Sequence, residues 1–290
     1  LVTGGAGFMG SHVADSLSAL GHQVWVLDNL SGGFRENVPA HATFVEGSVL
    51  DEVLLQKLFA QHNFQFIFHL AAYAAEALSH FIKRFNYMNN LIGSVNLINL
   101  SILHQVKCFV FTSSIAVYGK NQNPMTEAMR PEPEDPYGIA KFAVEQELEA
   151  SRRMFGLNYI IFRPHNVYGE RQNIGDKYRN VVAIFMNQIM QGKPMTIFGD
   201  GNQKRAFSYI GDIAPVIAGS IEIPEVYNQV FNIGADIPYT VNHLAHEVAR
   251  AFGVAPKMQH LDPRNEVYEA FSEHSKARTL FKADATVSLT

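Results

Sequence analysis

The sequence has 290 residues, 47% hydrophobic and 17% charged, enough to bury the core of one large α/β domain or two modest ones. A net charge of -4 without a run of Lys or Arg leaves no electrostatic footprint for nucleic acid or an anionic membrane, so small molecules are the expected partners. A single cysteine, Cys108, excludes an internal disulfide framework and a multi-cysteine metal site and points to a reducing cytoplasm, and no apolar stretch reaches the ~18 charge-free residues of a spanning helix.

The chain opens on LVTGGAGFMGSHVADSLSALG, which passes from strand to Gly-rich turn to an amphipathic helix with Val13, Leu17 and Leu20 on one face. Beginning almost directly on TGG, the sequence is expected to lack the N-terminal part of its first strand. Its glycines read as GxGxxG at Gly5, Gly7 and Gly10 or as GxxGxxG at Gly4, Gly7 and Gly10. Either register lets backbone N–H groups approach a pyrophosphate at the positive end of a helix, where side chains would block it. The next strand, QVWVLD (23–28), ends on Asp28, roughly 20 residues beyond the glycines, where a carboxylate meets a ribose 2′-hydroxyl. That carboxylate repels a 2′-phosphate and favours NAD over NADP, an alternative that Arg35 keeps open.

Further strand-length runs follow at ATFVEG (42–47), FQFIFHL (64–70), KCFVFTS (107–113) and NYIIFRP (158–164), with helical spacing between them. They predict a doubly wound parallel sheet, a Rossmann arrangement. HFIKRFNYMNNLIGSVNLINLSILHQV (80–106) reads as one long helix with more apolar surface than a single sheet needs. FTSS then ends a strand on three adjacent hydroxyls, Thr112, Ser113 and Ser114. The segment PMTEAMRPEPEDPYG (124–138), with four prolines, predicts a loop over the top of the sheet that delivers Tyr137 to a helix introduced by Asp135 and Pro136. Tyr137 and Lys141 stand four apart on one helix face, where an ammonium favours the phenolate of a Tyr whose pKa is ordinarily ~10. Such a Tyr can take a proton from a sugar hydroxyl.

After Arg163 the alternation loosens into GERQNIGDKYRN, a helix over VVAIFMNQIMQG and short strands at MTIFG and VFNIG. This predicts a smaller, partly interleaved α/β substrate domain: residues 1–165 bind the dinucleotide, segments near 205–235 return to that domain, and 166–290 mainly hold the substrate. His12, His22, His69 and His165 show no metal spacing, and no metal site is expected.

TGGAGFMGS, VLDNLSGG, HLAA, NNLIGSVNL, SSIAVYG, PYGIAK, FRPHNVYG, FGDGNQKRAFSYIGD and FNIGA, in this order, resemble the extended short-chain dehydrogenase/reductase superfamily. Within it the resemblance is to the NAD-dependent nucleotide-sugar epimerase/dehydratase family, UDP-glucose 4-epimerase-like members above all. It implies that Gly4, Gly7 and Gly10, with the N–H groups of Phe8 and Met9, cradle the pyrophosphate of NAD. Asp28 and Asn29 would flank the adenosine ribose, Ser48 and Val49 the adenine, and Leu70, Ala71, Ala72, Tyr73 and Asn89 the cofactor channel. Ser114 would hydrogen-bond the reacting sugar oxygen, Tyr137 act as base and Lys141 fix the nicotinamide ribose. Asn166, Arg205 and Arg264 would hold the diphosphate of a UDP-sugar. Two departures stand out: Ser48 replaces the family's usual Asp, and Arg264 follows a shortened motif.

Dehydratases and decarboxylases of this family carry an acid where this chain has Ala116. Ile115 and Ala116 therefore point to epimerisation at carbon 4 through a 4-keto sugar. A dehydratase or decarboxylase drawing its acid from Glu76 or Glu127 is the alternative, and a non-catalytic NAD-binding regulator a further one. Ala270 approximates the position that sets room for an N-acetyl group, with Tyr268 or Phe271 as the other occupants, and uronic acid substrates stay open. The resemblance also implies a homodimer, through the 80–106 helix and the Tyr137 helix.

Overall fold

Apolar runs without alternation need cover on both faces, and the chain lays them side by side in a parallel sheet. The computed structural model describes all residues except 121, 122, 177, 179, 264–266, 284–286 and 290. β1 (Val2–Thr3) leads to α1 (Phe8–Ala19), β2 (Trp25–Asp28), β3 (Thr43–Glu46), α2 (Glu52–Gln61) and β4 (Phe66–His69). Then come α3 (Glu76–Ser79), α4 (Lys83–Tyr87), α5 (Gly93–Leu103), β5 (Cys108–Thr112), α6 (Pro136–Phe155) and β6 (Tyr159–Pro164). The later chain forms β7 (Val167–Tyr168), α7 (Val181–Met190), β8 (Met195–Phe198), β9 (Lys204–Ala206), β10 (Ser208–Tyr209), α8 (Ile210–Gly219) and β11 (Gln229–Ile233). It finishes with β12 (Pro238–Thr240), α9 (Val241–Ala251), β13 (Met258–Leu261), β14 (Glu269–Ala270) and α10 (Ser275–Phe281).

Seven parallel strands make the main sheet, in the order β11-β6-β5-β4-β1-β2-β3. Val13, Leu17, Ile213 and Ile217 of α1 and α8 share a core with Val26, Phe162 and Phe231. On the other face Leu55, Leu97, Val144 and Leu148 of α2, α5 and α6 share one with Leu27, Phe109 and Ile161. Strand order reverses between β1 and β4, so a crevice opens beyond their carboxyl ends. VFNIG lies in β11 and extends the main sheet alongside β6. β8 with β13, β7 with β10, and β12-β9-β14 form small sheets, and α7 and α9 pack around Phe185, Ile197, Phe207 and Leu244.

The stretch from 80 to 106 is not one helix. α4 gives way to a π turn over Met88–Ile92 before α5, which stops at Leu103. Two buried amides explain the break. Asn90 donates to Asn86 Oδ1 (2.7 Å) and to the Tyr73 carbonyl (3.1 Å) and accepts from Tyr73 N (2.8 Å), while Asn86 donates to the Pro136 carbonyl (2.8 Å). The wider turn carries both amides inward, where they brace the β4 loop against α6. α6 itself starts as its sequence dictates: Asp135 caps it by accepting from Tyr137 N (2.9 Å) and Gly138 N (3.0 Å), Pro136 takes the first turn, and Gly156 at φ 80° ends it.

Candidate active site

The glycine turn after β1 is shaped by close approach. A Cβ on Gly4, at φ 71°, would lie 2.7 Å from the Cα and N of Ala71, and one on Gly10 would lie 2.1 Å from the Gly4 carbonyl oxygen. One on Gly5 would meet Val26 Cγ1 at 2.7 Å, so glycines of both registers are sterically required. Gly7 differs, since its Cβ would meet only the Gly4 carbonyl oxygen, at 3.1 Å. Its open side belongs to the cleft. α1 begins there with no side-chain cap and no acid in its first turn, which leaves a positive helix end for an anion.

Asp28 accepts from Ala6 N (3.0 Å) through one oxygen and from Leu30 N (2.8 Å) through the other, and keeps lone pairs for a hydroxyl. Arg35 is exposed, stacked 3.9 Å from the centre of the Phe44 ring, and does not line the cleft. Nothing in its position answers a 2′-phosphate. Ser48 Oγ accepts from Leu50 N (3.1 Å), leaving its hydroxyl proton to donate.

At the other end of the cofactor groove, Lys141 donates to the Thr112 carbonyl (2.7 Å) and sits 4.7 Å from the Phe111 ring centre and 5.8 Å from that of Tyr137. Burial lowers its pKa to about 7, with Glu145 pulling it back upward. The three adjacent hydroxyls are sorted by their neighbours. Ser113 donates to Glu145 (2.5 Å), whose carboxylate also receives Arg163 Nε (3.0 Å) and Nη2 (2.5 Å). Arg163 continues to Tyr118 OH (2.7 Å), which donates to Asn232 (2.8 Å), so the network reaches from β5 to β11. Ser114 instead accepts from Ala116 N (3.1 Å) and keeps its proton to donate. His69 is a core residue between Thr3 (2.7 Å) and Ser94 (2.8 Å), held neutral by burial and then by Lys141, which bring its pKa down to about 3.

Beyond β6, Asn166 at φ 39° donates to the Ala206 carbonyl (3.1 Å). The Arg205 guanidinium is fastened by the carbonyls of Lys204 (2.8 Å), Val267 (2.5 Å) and Tyr268 (3.0 Å). β14 runs parallel to β9 and places Ala270 opposite Arg205, in the cleft wall, whereas Tyr268 is exposed and neither it nor Phe271 lines the cleft. Arg264 falls outside the described residues.

A single cleft of about 1430 Å³ takes in Gly4, Gly7, Phe8, Met9 and Gly10, then Asp28, Asn29, Ser48 and Val49. Leu70, Ala71, Ala72, Tyr73 and Asn89 line its middle, and Ser114, Tyr137, Lys141, Asn166 and Arg205 its far part. Glu76 lines it too; Glu127 does not, and accepts from Asn232 N (2.8 Å) instead. Sequence reasoning missed Gly33, where a Cβ would lie 2.5 Å from the Ala6 carbonyl, although the Gly32–Gly33 pair signalled a close crossing. It also missed Lys120, paired with Glu134 (3.0 Å), and Phe185, which no motif marks. Among the described residues no three His, Cys, Asp or Glu are grouped to hold a metal, and no helix is long and apolar enough to cross a membrane.

Residues 1–234 match the model of the NAD dependent epimerase/dehydratase family. The chain is 33% identical to a UDP-glucose 4-epimerase of Mycolicibacterium smegmatis, over 100% of this chain and 94% of that protein. It is 28% identical to a UDP-N-acetyl-alpha-D-glucosaminuronate decarboxylase of Bacillus cytotoxicus, over 92% of this chain and 84% of that one. The fold superposes on the crystal structure of a Thermotoga maritima UDP-glucose 4-epimerase with UDP-glucose at a TM-score of 0.94 and 38% identity, covering 99% of this chain and 93% of the other. A likeness that spans nearly the whole chain, on a groove whose glycines, bare helix end and ribose-side carboxylate suit a dinucleotide without a 2′-phosphate, establishes that this chain belongs to the NAD-dependent epimerase/dehydratase family, whose cofactor is NAD.

Proposed function

We propose that this chain epimerises carbon 4 of a UDP-hexose, by way of a 4-keto sugar. The observation that carries this reading is the cleft wall beside Ser114 and Tyr137, where Ile115 and Ala116 stand. Elimination of water needs an acid for the leaving hydroxyl, and neither side chain has a proton to give.

In this reading Gly4, Gly7 and Gly10 admit the pyrophosphate to the N–H groups of Phe8 and Met9, Asp28 and Asn29 hold the ribose, and Ser48 and Val49 border the adenine. Leu70, Ala71, Ala72, Tyr73 and Asn89 wall the channel toward Lys141. NAD bound there supplies a hydride acceptor that gives back what it takes, so no outside reductant is consumed. Tyr137 removes the proton from the carbon 4 hydroxyl, and the Ser114 hydroxyl hydrogen-bonds the same oxygen. The Lys141 ammonium, on the same helix face, favours the phenolate. Arg205, Asn166 and Arg264 hold the diphosphate while the sugar turns to present its other face. This divides the labour between residues 1–165, joined by segments near 205–235, for the cofactor and mainly 166–290, Arg205 included, for the nucleotide sugar.

Incubation with NAD⁺ and a panel of UDP-sugars, followed by NMR of the products, tests the reading. Carbon 4 epimers of at least one of UDP-glucose, its N-acetyl form or its uronic acid form are expected. A 4-keto-6-deoxy sugar, or carbon dioxide from a UDP-uronate, would instead establish the second reading, which Glu76 supports from its place in the cleft. A homodimer is also proposed, because Phe81 (84% exposed), just before α4, and Phe85, Met88 and Ile92, on α4 and the π turn, present apolar surface, with Ile139 exposed on α6. Sedimentation equilibrium at twice the chain mass is the expected result.

A further inference from the structure

One wall of the cleft is held by two buried histidines whose hydrogen bonds require more protons than two neutral rings carry. His165 follows β6 and His274 precedes α10; both are 2% exposed, and their Nε2 atoms lie 3.0 Å apart. Gly234, at φ 155°, permits this approach, since a Cβ there would lie 2.5 Å from His165 Nε2. His165 Nδ1 is 3.1 Å from the Ala206 carbonyl, and His274 Nδ1 is 2.7 Å from Asp236 Oδ1. A carbonyl and a carboxylate only accept, so each Nδ1 carries a proton. Two neutral rings then have none left for the contact between their Nε2 atoms, and lone pair would face lone pair. Ser272 Oγ, 2.9 Å from His274 Nε2, can serve that one nitrogen but places no proton between the rings.

Asp236 is not the holder of the missing proton. Its hydrogen bond from His274, with the Arg278 guanidinium also bonded to it, keeps its carboxyl below the usual range despite partial burial. Burial, and then the neighbouring His274, push His165 down to about 3, which makes it the neutral, accepting ring.

We propose that His165 and His274 share a third proton, forming a buried imidazolium centred on His274 and balanced by Asp236, and that this cation positions the nucleotide-binding wall of the cleft. The positioning role rests on the nucleotide-sugar reading above. His165 grips the Ala206 carbonyl, the same oxygen that receives Asn166 Nδ2, and Ala206 directly follows Arg205. His274 lies four residues beyond Ala270, so the pair pins three pieces of cleft wall, around 165, 205 and 270, to one another. The groups facing the pair are Asp236 from the segment before β12, Arg278 from α10 and Glu273 beside it, with the hydroxyls of Ser272 and Ser208.

The shared proton belongs to the folded arrangement of the two rings, and raising the pH is the direct way to remove it. Once the proton leaves, Ser272 donates to His274 Nε2, the link to His165 opens and the wall loses its brace.

Nitrogen-15 NMR of histidine-labelled protein, with no sugar added, counts the protons directly. Of the resonances assigned to His165 and His274, one doubly protonated ring at about pH 6 is expected; one proton on each of these two rings overturns the proposal whatever reaction the enzyme performs. Calorimetric titration with UDP-glucose, whose diphosphate does not ionise in this range, should show affinity falling about tenfold from pH 6 to 8.5, the scale of one charged hydrogen bond. His274→Gln offers an N–H donor that cannot titrate, and its UDP-glucose affinity should fall about tenfold less than that of the wild type over this range; the same fall in the variant would overturn the positioning role. Absence of binding at any pH by UDP-glucose and by its N-acetyl and uronic acid forms defeats the nucleotide-sugar reading and the positioning role with it, while the NMR count still decides the shared proton.

Discussion

Lys141 combines a nearly dry ammonium with a carbonyl partner, and its pKa of about 7 has a consequence for stability. Below that value both folded and unfolded chains hold the proton and the buried charge is costly; above it only the unfolded chain does, so stability rises with pH until free lysine itself titrates. In the absence of NAD, urea unfolding of the wild type is expected to gain about 1 kcal/mol relative to Lys141→Met between about pH 7 and about pH 8. Ala270 offers a second test at this scale. Its methyl group borders the cleft opposite Arg205, so Ala270→Tyr is expected to lower kcat/KM for UDP-N-acetylglucosamine at least about tenfold more than for UDP-glucose, read by coupled assay. The sequence displays Thr112, Ser113 and Ser114 as equals, because what separates them is distant in the chain: Glu145 engages Ser113, and Lys141 takes the Thr112 carbonyl. The His165–His274 contact was illegible for the same reason, the two rings standing 109 positions apart in the chain.

Among the elements, the turn into α1 separates two roles of glycine. Gly10 allows the helix to touch the strand end, and Gly7 leaves space on the cleft side. Gly10→Ala is expected to cost stability, of the order of 1–3 kcal/mol for an overpacked site, whereas Gly7→Ala should unfold within about 1 kcal/mol of wild type. Both should lose NAD affinity, so thermal unfolding alongside NAD titration separates the two. The sequence shows this turn and the start of α6 clearly, since glycine spacing and Asp135-Pro136 act locally. It misleads over 80–106 because periodicity records which residues are apolar, not that Asn86 and Asn90 reach inward to Pro136 and Tyr73.

Across the whole molecule, Glu145, Arg163, Tyr118 and Asn232 connect α6, β6, the segment after β5 and β11 through buried charge. Arg163→Met strands the Glu145 carboxylate in the core and is expected to cost about 3–5 kcal/mol, measured as a lowered urea midpoint. The parallel sheet was legible because doubly covered strands read as unbroken apolar runs. The small sheets around β9 were not, because strands such as β7, β12 and β14 are too short to show a period. β6 has its outer neighbour, β11, only after residues 165–228 have been added. A nascent chain on the ribosome must therefore carry Ile160, Ile161 and Phe162 on an unpaired edge through all of that synthesis, which makes this the interval in which the protein is most exposed to aggregation and most dependent on whatever shields emerging chains.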